Sequence, residues 1–246
     1  MPSLDVPLFD NPDTTAALSR RFAAMEPQAF LRLVIETLFP GRIALVSSFG
    51  AESAVLLHLA AKIDPALPVL FIDTDLLFPE TLAYRDTLVE LLGLKDVRVI
   101  KPEPAQRAAE DPENFLWASN ADRCCEIRKV LPLANALEPF DAWITGRKRF
   151  QAATRAALSF FEQEEGTSRI KVNPLAGWTA QDLAAYLKKW DLPAHPLVAK
   201  GYPSIGCIPC TSPVRPGEDA RAGRWRDKGK VECGIHIKKL EPSPDA

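Results

Sequence analysis

Apolar positions along the chain recur in two distinct patterns. In some segments they are spaced three or four residues apart, which is typical of a helix with one buried face. In others they form short continuous runs, which are typical of strands buried on both faces of a sheet. The first pattern predicts helices over 14–25, 28–39, 52–62, 79–92, 125–137 and 178–190. The second predicts strands over 43–47, 69–73, 97–100 and 142–145, with a late strand pair at 158–162 and 169–173.

Strands and helices alternate through the middle of the chain, and this alternation is typical of a doubly wound, mainly parallel α/β sheet. Ligands bind such sheets beyond the carboxyl ends of their strands. Ser47, Asp73 and Gly146 lie at the ends of predicted strands. We therefore expect the functional site at that edge of the sheet.

The chain changes character after residue 190. Prolines become frequent and the apolar periodicity disappears, as in segments that stay disordered unless something holds them in place. Here the cysteines of the segment are the candidates for that constraint. We predict three regions: an N-terminal helical segment over 1–40, an α/β nucleotide-binding core over 41–190, and an irregular C-terminal segment over 191–246.

Composition and charge narrow the class of protein. The 246 residues are 47% hydrophobic and 25% charged, with a net charge of −2, which is ordinary for a soluble globular protein. This balance argues against nucleic acid or an anionic membrane as a partner, so affinity for anions must come from local patches. No stretch approaches the ~20 apolar residues of a membrane span. We predict a cytoplasmic protein, whose thiols stay reduced.

The cysteines carry the clearest chemical signal. Cys124 and Cys125 are adjacent, and Cys207 and Cys210 are spaced C-x-x-C. Four thiols in two pairs form a ligand set for zinc or for a four-iron cluster, and spacing alone leaves both open. Lys129, four residues after Cys125, lies over it on a helix and would stabilise thiolate charge. The alternative is that these cysteines are buried packing residues.

Cys233 stands apart from the two pairs, in the motif Glu-Cys-Gly-Ile-His at 232–236. Basic residues precede it, and neighbouring cations lower the pKa of a thiol and favour the reactive thiolate. Of the three histidines, only His236 lies beside this motif. The pattern indicates a nucleophile that acts on an anionic substrate; the alternative is an incidental cysteine in a solvated basic tail.

Two further segments are candidates for anion binding. The loop Ser-Ser-Phe-Gly-Ala-Glu-Ser at 47–53 joins a strand to a helix, where backbone N–H groups and hydroxyls suit an anion. It lacks the Gly-Lys-Ser/Thr ending of a Walker loop. Thr-Gly-Arg-Lys-Arg at 145–149, with Arg155, follows another strand, and arginine suits phosphate or sulfate. A serine-capped turn and a basic loop without a ligand are the alternatives.

Taken together, these motifs resemble the assimilatory sulfonucleotide reductases, specifically the iron–sulfur type that reduces adenylyl sulfate (APS). The resemblance covers about residues 42–236, and several ordered motifs are more specific than any one of them. Those motifs are 47–53, Phe-Ile-Asp-Thr with Phe-Pro-Glu-Thr within 71–81, Cys-Cys-x-x-Arg-Lys-Val-x-Pro-Leu at 124–133, Thr-Gly at 145–146, Gly-Cys-x-Pro-Cys-Thr at 206–211, Arg-x-Gly-Arg-Trp at 221–225, and 232–236.

The resemblance implies a fold, a cofactor and a chemistry. The fold would be adenine-nucleotide α-hydrolase-like, with the loop 47–53 gripping the phosphosulfate of APS without hydrolysing ATP. Cys124, Cys125, Cys207 and Cys210 would bind one [4Fe-4S] cluster. Cys233 would attack sulfur, and thioredoxin would discharge the resulting S-sulfocysteine as sulfite. The implied substrate-binding residues are Ser47, Ser48, Phe49, Gly50, Ser53, Lys129, Arg149, Arg221, Arg224, Trp225 and His236.

The sequence departs from the family pattern at three places. The stretch before the double cysteine lacks the histidine common in the family, and Asp75 replaces a common glycine. Either Lys148 or Arg149 fills the role of the family's substrate-binding arginine. Members of the family are often oligomeric, although no residue pattern here indicates a homo-oligomer.

Three alternative functions remain open at this point. One is the same reaction on 3′-phosphoadenylyl sulfate (PAPS), or on both nucleotides. A second is an ATP-using enzyme that thiolates RNA, but such enzymes carry a loop of the Ser-Gly-Gly-x-Asp-Ser type, which is absent here. The third is a binding module held together by zinc.

Overall fold

The computed structural model describes residues 12–226, 228–230 and 232–236. Within them, the chain forms a six-stranded sheet with the order β3-β2-β1-β4-β6-β5. All neighbouring pairs are parallel except β5 and β6, which are antiparallel. This confirms the predicted doubly wound, mainly parallel sheet and its late strand pair. The strands are β1 Ile43–Ser47, β2 Val69–Ile72, β3 Val97–Ile100, β4 Ala142–Ile144, β5 Phe161–Gln163 and β6 Ile170–Val172.

The order of the strands creates a crevice beside β1. From β1 the chain continues outward to β2 and β3, and then returns to the other side of β1 to form β4. Leu45 of β1 pairs with Val69 of β2 on one side and with Ile144 of β4 on the other. Connections therefore leave β1 and β4 in opposite directions at their carboxyl ends, which is where open α/β sheets bind ligands.

The helices lie close to their predicted positions, with two additions. The segment 104–119 forms two short helices that no apolar spacing predicted, because neither contains a buried residue. The first is capped by Glu103, whose carboxylate accepts hydrogen bonds from the backbone N–H groups of Ala105 and Gln106. The helices are α1 Pro12–Phe22, α2 Pro27–Leu33, α3 Ser53–Ala61, α4 Pro79–Leu92, α5 Pro104–Glu110, α6 Leu116–Ser119, α7 Ala121–Cys125, α8 Leu131–Ala136 and α9 Ala180–Lys189.

The helix predicted over 125–137 contains a widened turn. A π-helical turn, Glu126–Val130, separates α7 from α8, and the N–H of Leu131 bonds to the carbonyl of Glu126. Pro132 follows directly and lacks the N–H that an α-helix would supply to Arg128. Widened turns of this kind accommodate such a break and often occur at functional sites. The turn carries Arg128 and Lys129.

The C-terminal segment is folded against the sheet as far as the structure describes it. The N–H of Ile208 bonds to the carbonyl of Leu76 at 2.8 Å, and Cys207 pairs with Leu77 in an isolated bridge. The cysteine motif is thus attached to the loop that follows β2. The boundaries of the three predicted regions, at residues 40 and 190, remain a prediction. Residues 1–11, 227, 231 and 237–246 lie outside the part of the chain that the structure describes. Along the parts described, no helix has the length and apolar character needed to cross a membrane.

A second attachment joins this segment to α4. The Tyr84 hydroxyl donates to the carbonyl of Pro193 at 2.7 Å, and His195 Nε2 lies 3.1 Å from the Thr81 hydroxyl. His195 Nδ1 accepts from the N–H of Leu197 at 3.2 Å, so both ring nitrogens are used. The ring is 1% exposed. Burial lowers the pKa of His195 to about 4, although Glu80 opposes this shift.

Replacing His195 by glutamine should flatten the acid dependence of stability. The unfolded chain takes up a proton at His195 near pH 6.5, whereas the folded protein stays neutral there to about pH 4. Acidification therefore favours the unfolded state. Between pH 7 and pH 5 the free energy of unfolding of the wild type should fall by about 2 kcal/mol more than that of His195→Gln.

Denaturant unfolding at the two pH values measures this difference. Gln163→Ala, at an exposed position of β5, serves as the control, because it removes no titratable group. An equal loss of stability in the wild type and in His195→Gln would contradict the prediction.

Candidate active site

A cleft of about 270 Å³ lies at the carboxyl ends of β1 and β4. Its walls come from the loop 47–53, the segment that follows β4, and the C-terminal segment. Its position is the edge of the sheet at which the sequence predicted a ligand site. Of the predicted substrate-binding residues, those that line it are Ser47, Ser48, Gly50, Ser53, Lys129, Arg221, Arg224, Trp225 and His236.

The loop 47–53 forms one wall of the cleft. The Ser47 hydroxyl accepts a hydrogen bond from the N–H of Phe49 at 3.1 Å, and the N–H of Ser53 bonds to the carbonyl of Gly50. These bonds form a tight turn into α3. The exposed Ser48 lines the cleft in this turn, and the backbone N–H groups at the start of a helix favour an anion.

Phe49 has a different position from the one expected of a substrate-binding residue. Its side chain is fully buried and does not line the cleft. The ring packs edge-on against Phe71 of β2, with 5.3 Å between ring centroids. Phe49 also has φ of 47°, which is uncommon for a bulky residue and is maintained here by this packing. Phe49 therefore acts as an anchor for the loop.

Six cationic side chains face the cleft among the described residues: Lys129, Arg147, Lys148, Arg155, Arg221 and Arg224. Three carboxylates accompany them, from Glu52, Asp219 and Glu232. The excess of positive charge suits an anionic ligand of high charge density.

Lys148 is the cation closest to the loop. Its ammonium donates to Glu52 Oε2 at 2.5 Å, and the Gln151 amide donates to the same oxygen at 2.7 Å. Burial lowers the pKa of Lys148, and the carboxylate of Glu52 opposes that shift. The Glu52 carboxylate thus keeps a buried ammonium next to the anion-binding loop.

The structure does not bring Arg149 to the cleft. Its Nε donates to the carbonyl of Leu158 at 2.9 Å, and its guanidinium lies over the Phe160 ring. Lys148 is in an extended conformation and Arg149 begins a 3₁₀ turn, Arg149–Gln151, so the two side chains diverge. Of this pair, Lys148 is the residue that lines the cleft.

Arg155 and Arg221 hold a carboxylate next to the predicted nucleophile. Arg155 binds Glu232 through two bonds, at 2.6 Å and 2.7 Å, and Arg221 adds a third at 3.3 Å. Arg155 and Glu232 are each more than nine-tenths buried. Buried bidentate pairs of this kind are geometrically specific. They place residue 232, and so Cys233, at the cleft.

Arg224 passes through a narrow slot. Its guanidinium stacks over the Trp225 ring at 4.4 Å and donates to the carbonyl of Ile205 at 3.1 Å. A Cβ atom on Gly206 would overlap the guanidinium, so only glycine leaves room for it. Its buried Nε has no hydrogen-bond partner among the described residues, which leaves a donor for a ligand.

His236 lies at the end of the cleft on the indole of Trp143. The two rings are 11° from parallel, with 5.8 Å between centroids. Burial lowers the pKa of His236 well below its ordinary value, and Arg147, Arg155, Lys171 and Arg221 lower it further. The ring is therefore neutral at pH 7. Its Nδ1 is buried without a partner among the described residues.

The other four cysteines come together in a second, smaller cavity. Cys124, Cys125, Cys207 and Cys210 all line it, although they come from two distant segments. All four are buried and free of disulfides. Burial raises the pKa of Cys124 to about 12, with the neighbouring Cys125 adding to the shift. Uncharged thiols in such a site lose their protons when a metal binds.

The four thiols of this cavity are a ligand set that suits zinc or a four-iron cluster. Among the described residues, no group of three or more His, Cys, Asp or Glu side chains is arranged as a ready-made site for a metal ion. In a four-iron cluster each thiolate binds a different iron, so the sulfur atoms surround a volume. The Trp225 ring packs against Cys207 and Cys210, and its buried Nε1–H has no partner among the described residues.

Lys129 forms a wall shared by the cavity and the cleft, together with Thr74. The Thr74 hydroxyl lies 3.2 Å from the sulfur of Cys207. Burial alone would raise the pKa of Cys207, but Lys129, Thr74 and Arg224 together bring it below its ordinary value. Burial opposes the charge on Lys129, while Cys207, Cys125 and Cys233 raise its pKa. One ammonium thus interacts with thiols on both sides.

The neighbouring Arg128 holds this wall in place. It is 1% exposed and makes a buried ion pair with Asp111 at 2.6 Å. It also donates to the carbonyl of Thr74 at 2.7 Å. Arg128 thereby fixes the helix turn that carries Lys129 to the loop that carries Thr74.

Cys233 lines the cleft and is partly exposed. It packs at the edge of the small apolar cluster formed by Cys207, Cys210 and Trp225. The short turn that follows it, Gly234–His236, places Ile235 against the sheet core around Trp143. The thiol therefore faces the cationic cleft from a segment that the rest of the fold supports.

This combination of fold and site matches proteins of known sequence. Residues 42–213 match the phosphoadenosine phosphosulfate reductase domain, and the chain belongs to this family. It is 54% identical to the adenosine 5′-phosphosulfate reductase of Mesorhizobium japonicum, over 93% of this chain and 89% of that protein. It is 40% identical to the phosphoadenosine 5′-phosphosulfate reductase of Gloeobacter violaceus, over 91% and 93% respectively. These findings confirm the resemblance drawn from the motifs.

A solved structure supports the same assignment. The phosphoadenylyl-sulfate reductase of Candida auris, in a phosphate complex, superimposes with a TM-score of 0.71 at 28% identity. The alignment covers 83% of this chain and 98% of the other. The agreement confirms the predicted fold class.

Several cleft residues were absent from the predicted set. Arg147 and Arg155 belong to the basic segment after β4 and were identified only as a general anion patch. Glu52, Gln151 and Glu232 carried no such signal, because a carboxylate or an amide in an anion site is recognisable only once its cationic partner is known. Glu232 and Arg155 are 77 positions apart in the chain.

Substituting Gly206 by alanine should displace Arg224 and weaken anion binding. The added methyl group cannot occupy the slot without moving the guanidinium, since its position overlaps Arg224. We expect inorganic pyrophosphate to bind about tenfold more weakly, as for loss of one charged hydrogen bond. Isothermal titration calorimetry measures the change.

Gly177→Ala is the matched control. A methyl group there would meet Phe160 at 3.7 Å and Arg149 at 3.9 Å, both ordinary contacts. Equal pyrophosphate affinity in Gly206→Ala and in the control would show that Arg224 takes no part in binding the anion.

Proposed function

We propose that this chain reduces adenylyl sulfate to sulfite and AMP, with thioredoxin as the electron donor. Its curated relatives at 54% and 51% identity are both named adenosine 5′-phosphosulfate reductase. The observation that carries the proposal is a partly exposed thiol, Cys233, facing a cleft that six cationic side chains line within the described part of the chain. A nucleophile in such a cleft suits a sulfuryl group attached to a phosphate.

The first half-reaction transfers the sulfuryl group to the protein. The Cys233 thiolate attacks the sulfur of APS, and the bond from sulfur to the bridging oxygen breaks. AMP leaves with the electron pair of that bond, and the protein retains S-sulfocysteine. Thiolate and substrate are both anionic, so their approach requires positive charge nearby. Lys129, Arg221 and Arg224 line the same cleft as Cys233 and would offset this repulsion.

The second half-reaction returns Cys233 to its starting state. A thioredoxin thiolate attacks the sulfur of Cys233, and sulfite departs. The second thioredoxin thiol then attacks the mixed disulfide, releasing the Cys233 thiolate and oxidised thioredoxin. Two electrons pass from the thioredoxin dithiol to sulfur. We assign the reaction to the cytoplasm, where it would supply sulfite for the synthesis of cysteine.

The four remaining cysteines would hold one [4Fe-4S] cluster. Four free thiols line one cavity, and the Trp225 ring packs against two of them, Cys207 and Cys210. When bound, the cluster supplies fixed charge beside the cleft. On the protein side, Lys129 is the group that adjoins both the thiols and Cys233. Its ammonium would be oriented by the thiol cavity and would attract the sulfuryl oxygens in the cleft.

The principal alternative is the same chemistry on PAPS. The relative from Gloeobacter violaceus, at 40% identity, is named for that substrate. We favour APS because the relatives of higher identity are named for it and because the four cysteines accompany APS preference in the family that the motifs resemble. Thiolation of RNA is less consistent with the loop 47–53, which lacks the required pattern.

Anaerobically purified protein should contain about four iron atoms and four acid-labile sulfides per chain. Cys207→Ser should lose most of both, because it removes one corner ligand. Iron and sulfide assays with the visible absorption spectrum provide the measurement. Cys233→Ser is the control and should keep the full content. Zinc in place of iron and sulfide would contradict the cluster.

Intact-protein mass spectrometry should detect the covalent intermediate. Incubation with APS, without any thiol donor, should add one SO₃ group to the wild type and none to Cys233→Ser. Reduced thioredoxin should remove the adduct and release sulfite. Each protein is also incubated with PAPS.

The outcomes separate the alternatives. An adduct from both nucleotides would indicate a reductase of dual specificity. An adduct from PAPS alone would show that PAPS, and not APS, is the substrate. No adduct from either nucleotide, in protein with its full iron content, would contradict the S-sulfocysteine mechanism.

A further inference from the structure

The Gln151 side chain joins two parts of the cleft that are far apart in the sequence. Its Nε2 donates to Glu52 Oε2 at 2.7 Å, and its Oε1 accepts from Arg155 Nη1 at 2.6 Å. The orientation of the amide follows from its neighbours. Turned over, it would direct its NH₂ group at a guanidinium and its oxygen at a carboxylate.

Each end of this connection leads to a functional segment. Glu52 belongs to the loop 47–53 and also accepts from the Lys148 ammonium. Arg155 makes two bonds to Glu232, which directly precedes Cys233. A continuous line of hydrogen bonds therefore runs from the anion-binding loop, through Glu52, Gln151 and Arg155, to the residue beside the thiol.

We propose that Gln151 and Glu232 are positioning residues that couple occupancy of the loop 47–53 to the docking of the Cys233 segment. The inference rests on the proposed function, because it assumes that a nucleotide phosphate binds in this loop. Neither side chain takes part in bond making. Glu232 holds the segment at the cleft, and Gln151 transmits the state of the loop to it.

The direction of the coupling follows from the charges. Lys148 and Gln151 share one oxygen of Glu52. A phosphate bound in the loop would attract the Lys148 ammonium away from Glu52. The shared Glu52 oxygen would then accept a hydrogen bond from Gln151 alone. The amide is then held more firmly, and so is the Arg155 guanidinium that it orients. A bound nucleotide should therefore strengthen docking, and a docked segment should bind nucleotide more tightly, since such coupling is reciprocal.

The Glu232 carboxylate is the buried polar attachment next to Cys233, while Lys228 and Lys230 further along the segment bond to the Trp117 carbonyl and to Asp122. Glu232 is 6% exposed and accepts bonds from Arg155, Arg221 and, at 3.4 Å, the Thr154 hydroxyl. Removing its charge leaves the buried Arg155 without an anionic partner, which is costly. Glu232→Gln should therefore weaken the docking of Cys233 at the cleft.

The first experiment measures access to Cys233 without any nucleotide. Anaerobic protein with its full iron content is treated with iodoacetamide, and alkylation of Cys233 is followed by peptide mass spectrometry. Glu232→Gln should be alkylated at least about tenfold faster than the wild type, as expected for loss of a buried charge pair. Glu218→Gln, which removes a carboxylate that pairs with Arg226 at 2.8 Å outside the cleft, is the control. Equal rates in the wild type and in Glu232→Gln would overturn the role of Glu232.

The second experiment tests the coupling with saturating AMP. In the wild type AMP should slow alkylation of Cys233 by about tenfold, within the usual range for coupled sites. In Gln151→Ala the rates with and without AMP should become nearly equal. Gln163→Ala, at an exposed glutamine of the edge strand β5, should behave as the wild type. Protection of Gln151→Ala equal to that of the wild type would overturn the coupling.

A conservative variant separates coupling from loss of structure. Gln151→Glu keeps the acceptor for Arg155 but places a negative charge against Glu52. Its nucleotide-free alkylation should stay as slow as that of the wild type, whereas the effect of AMP should disappear. Fast alkylation in the absence of nucleotide would contradict this division of roles. Failure of AMP to bind the wild type would contradict the proposed function and the coupling with it, and the nucleotide-free comparison of Glu232→Gln would still decide whether that carboxylate holds the segment.

Discussion

Positive charge held close together at the carboxyl ends of β1 and β4 is the constraint on which the rest of the site depends. Six cationic side chains line one cleft among the described residues, and taking each from water is costly unless a partner replaces the lost hydration. The partners are carboxylates from separate parts of the chain. Glu52 neutralises Lys148, Glu162 pairs with Arg147, and Glu232 pairs with Arg155. Each of these carboxylates orients its cationic partner. The cleft still presents a net positive surface to an anionic ligand, because its cations outnumber its carboxylates.

These pairs also explain how an irregular segment becomes part of the fold. The C-terminal segment buries isolated apolar side chains, among them Leu197, Ile205 and Trp225, and polar and cysteine contacts hold the stretches between them. Near its start, His195 and Pro193 bond to side chains of α4, and further on Cys207 is bridged to the loop after β2. At its end, Glu232 enters the cationic cleft. In the proposed holoprotein a cluster would add a covalent constraint at the middle of the segment, so metal binding and completion of the cleft would be linked.

The sequence predicts best those parts of the fold whose apolar pattern is confined to a few neighbouring residues. The short apolar-rich runs at 43–47 and 97–100 predicted β1 and β3 to the residue, and the strand–helix alternation predicted the class of the sheet. The π-helical turn before Pro132 was not predicted, because one extra residue in a helical turn leaves the apolar spacing almost unchanged. The short polar helices over 104–119 bury nothing, and they depend on capping by Glu103.

For the site, the sequence does not predict the direction in which each side chain points. Adjacent residues Lys148 and Arg149 have similar chemistry and diverge only because a 3₁₀ turn begins between them. Phe49 lies within the correct motif but supports the loop from the core. Glu232 stands in a motif that drew attention to the neighbouring cysteine, and its own role depends on Arg155, a partner that no local pattern reveals.

The location of Cys233 on a docked segment has a chemical rationale in the proposed reaction. The thiol must first attack a substrate buried in a cationic cleft and then become accessible to a second protein. A cysteine on β1 or β4 could meet the first requirement only. Lys129 serves the first step, because it adjoins both Cys233 and the four-thiol cavity, whereas Glu232 governs the second by its hold on Arg155. Under the proposed coupling, weakening the hold of Glu232 would favour discharge at the expense of attack. The strength of the buried pair between Arg155 and Glu232 would then set the balance between the two half-reactions.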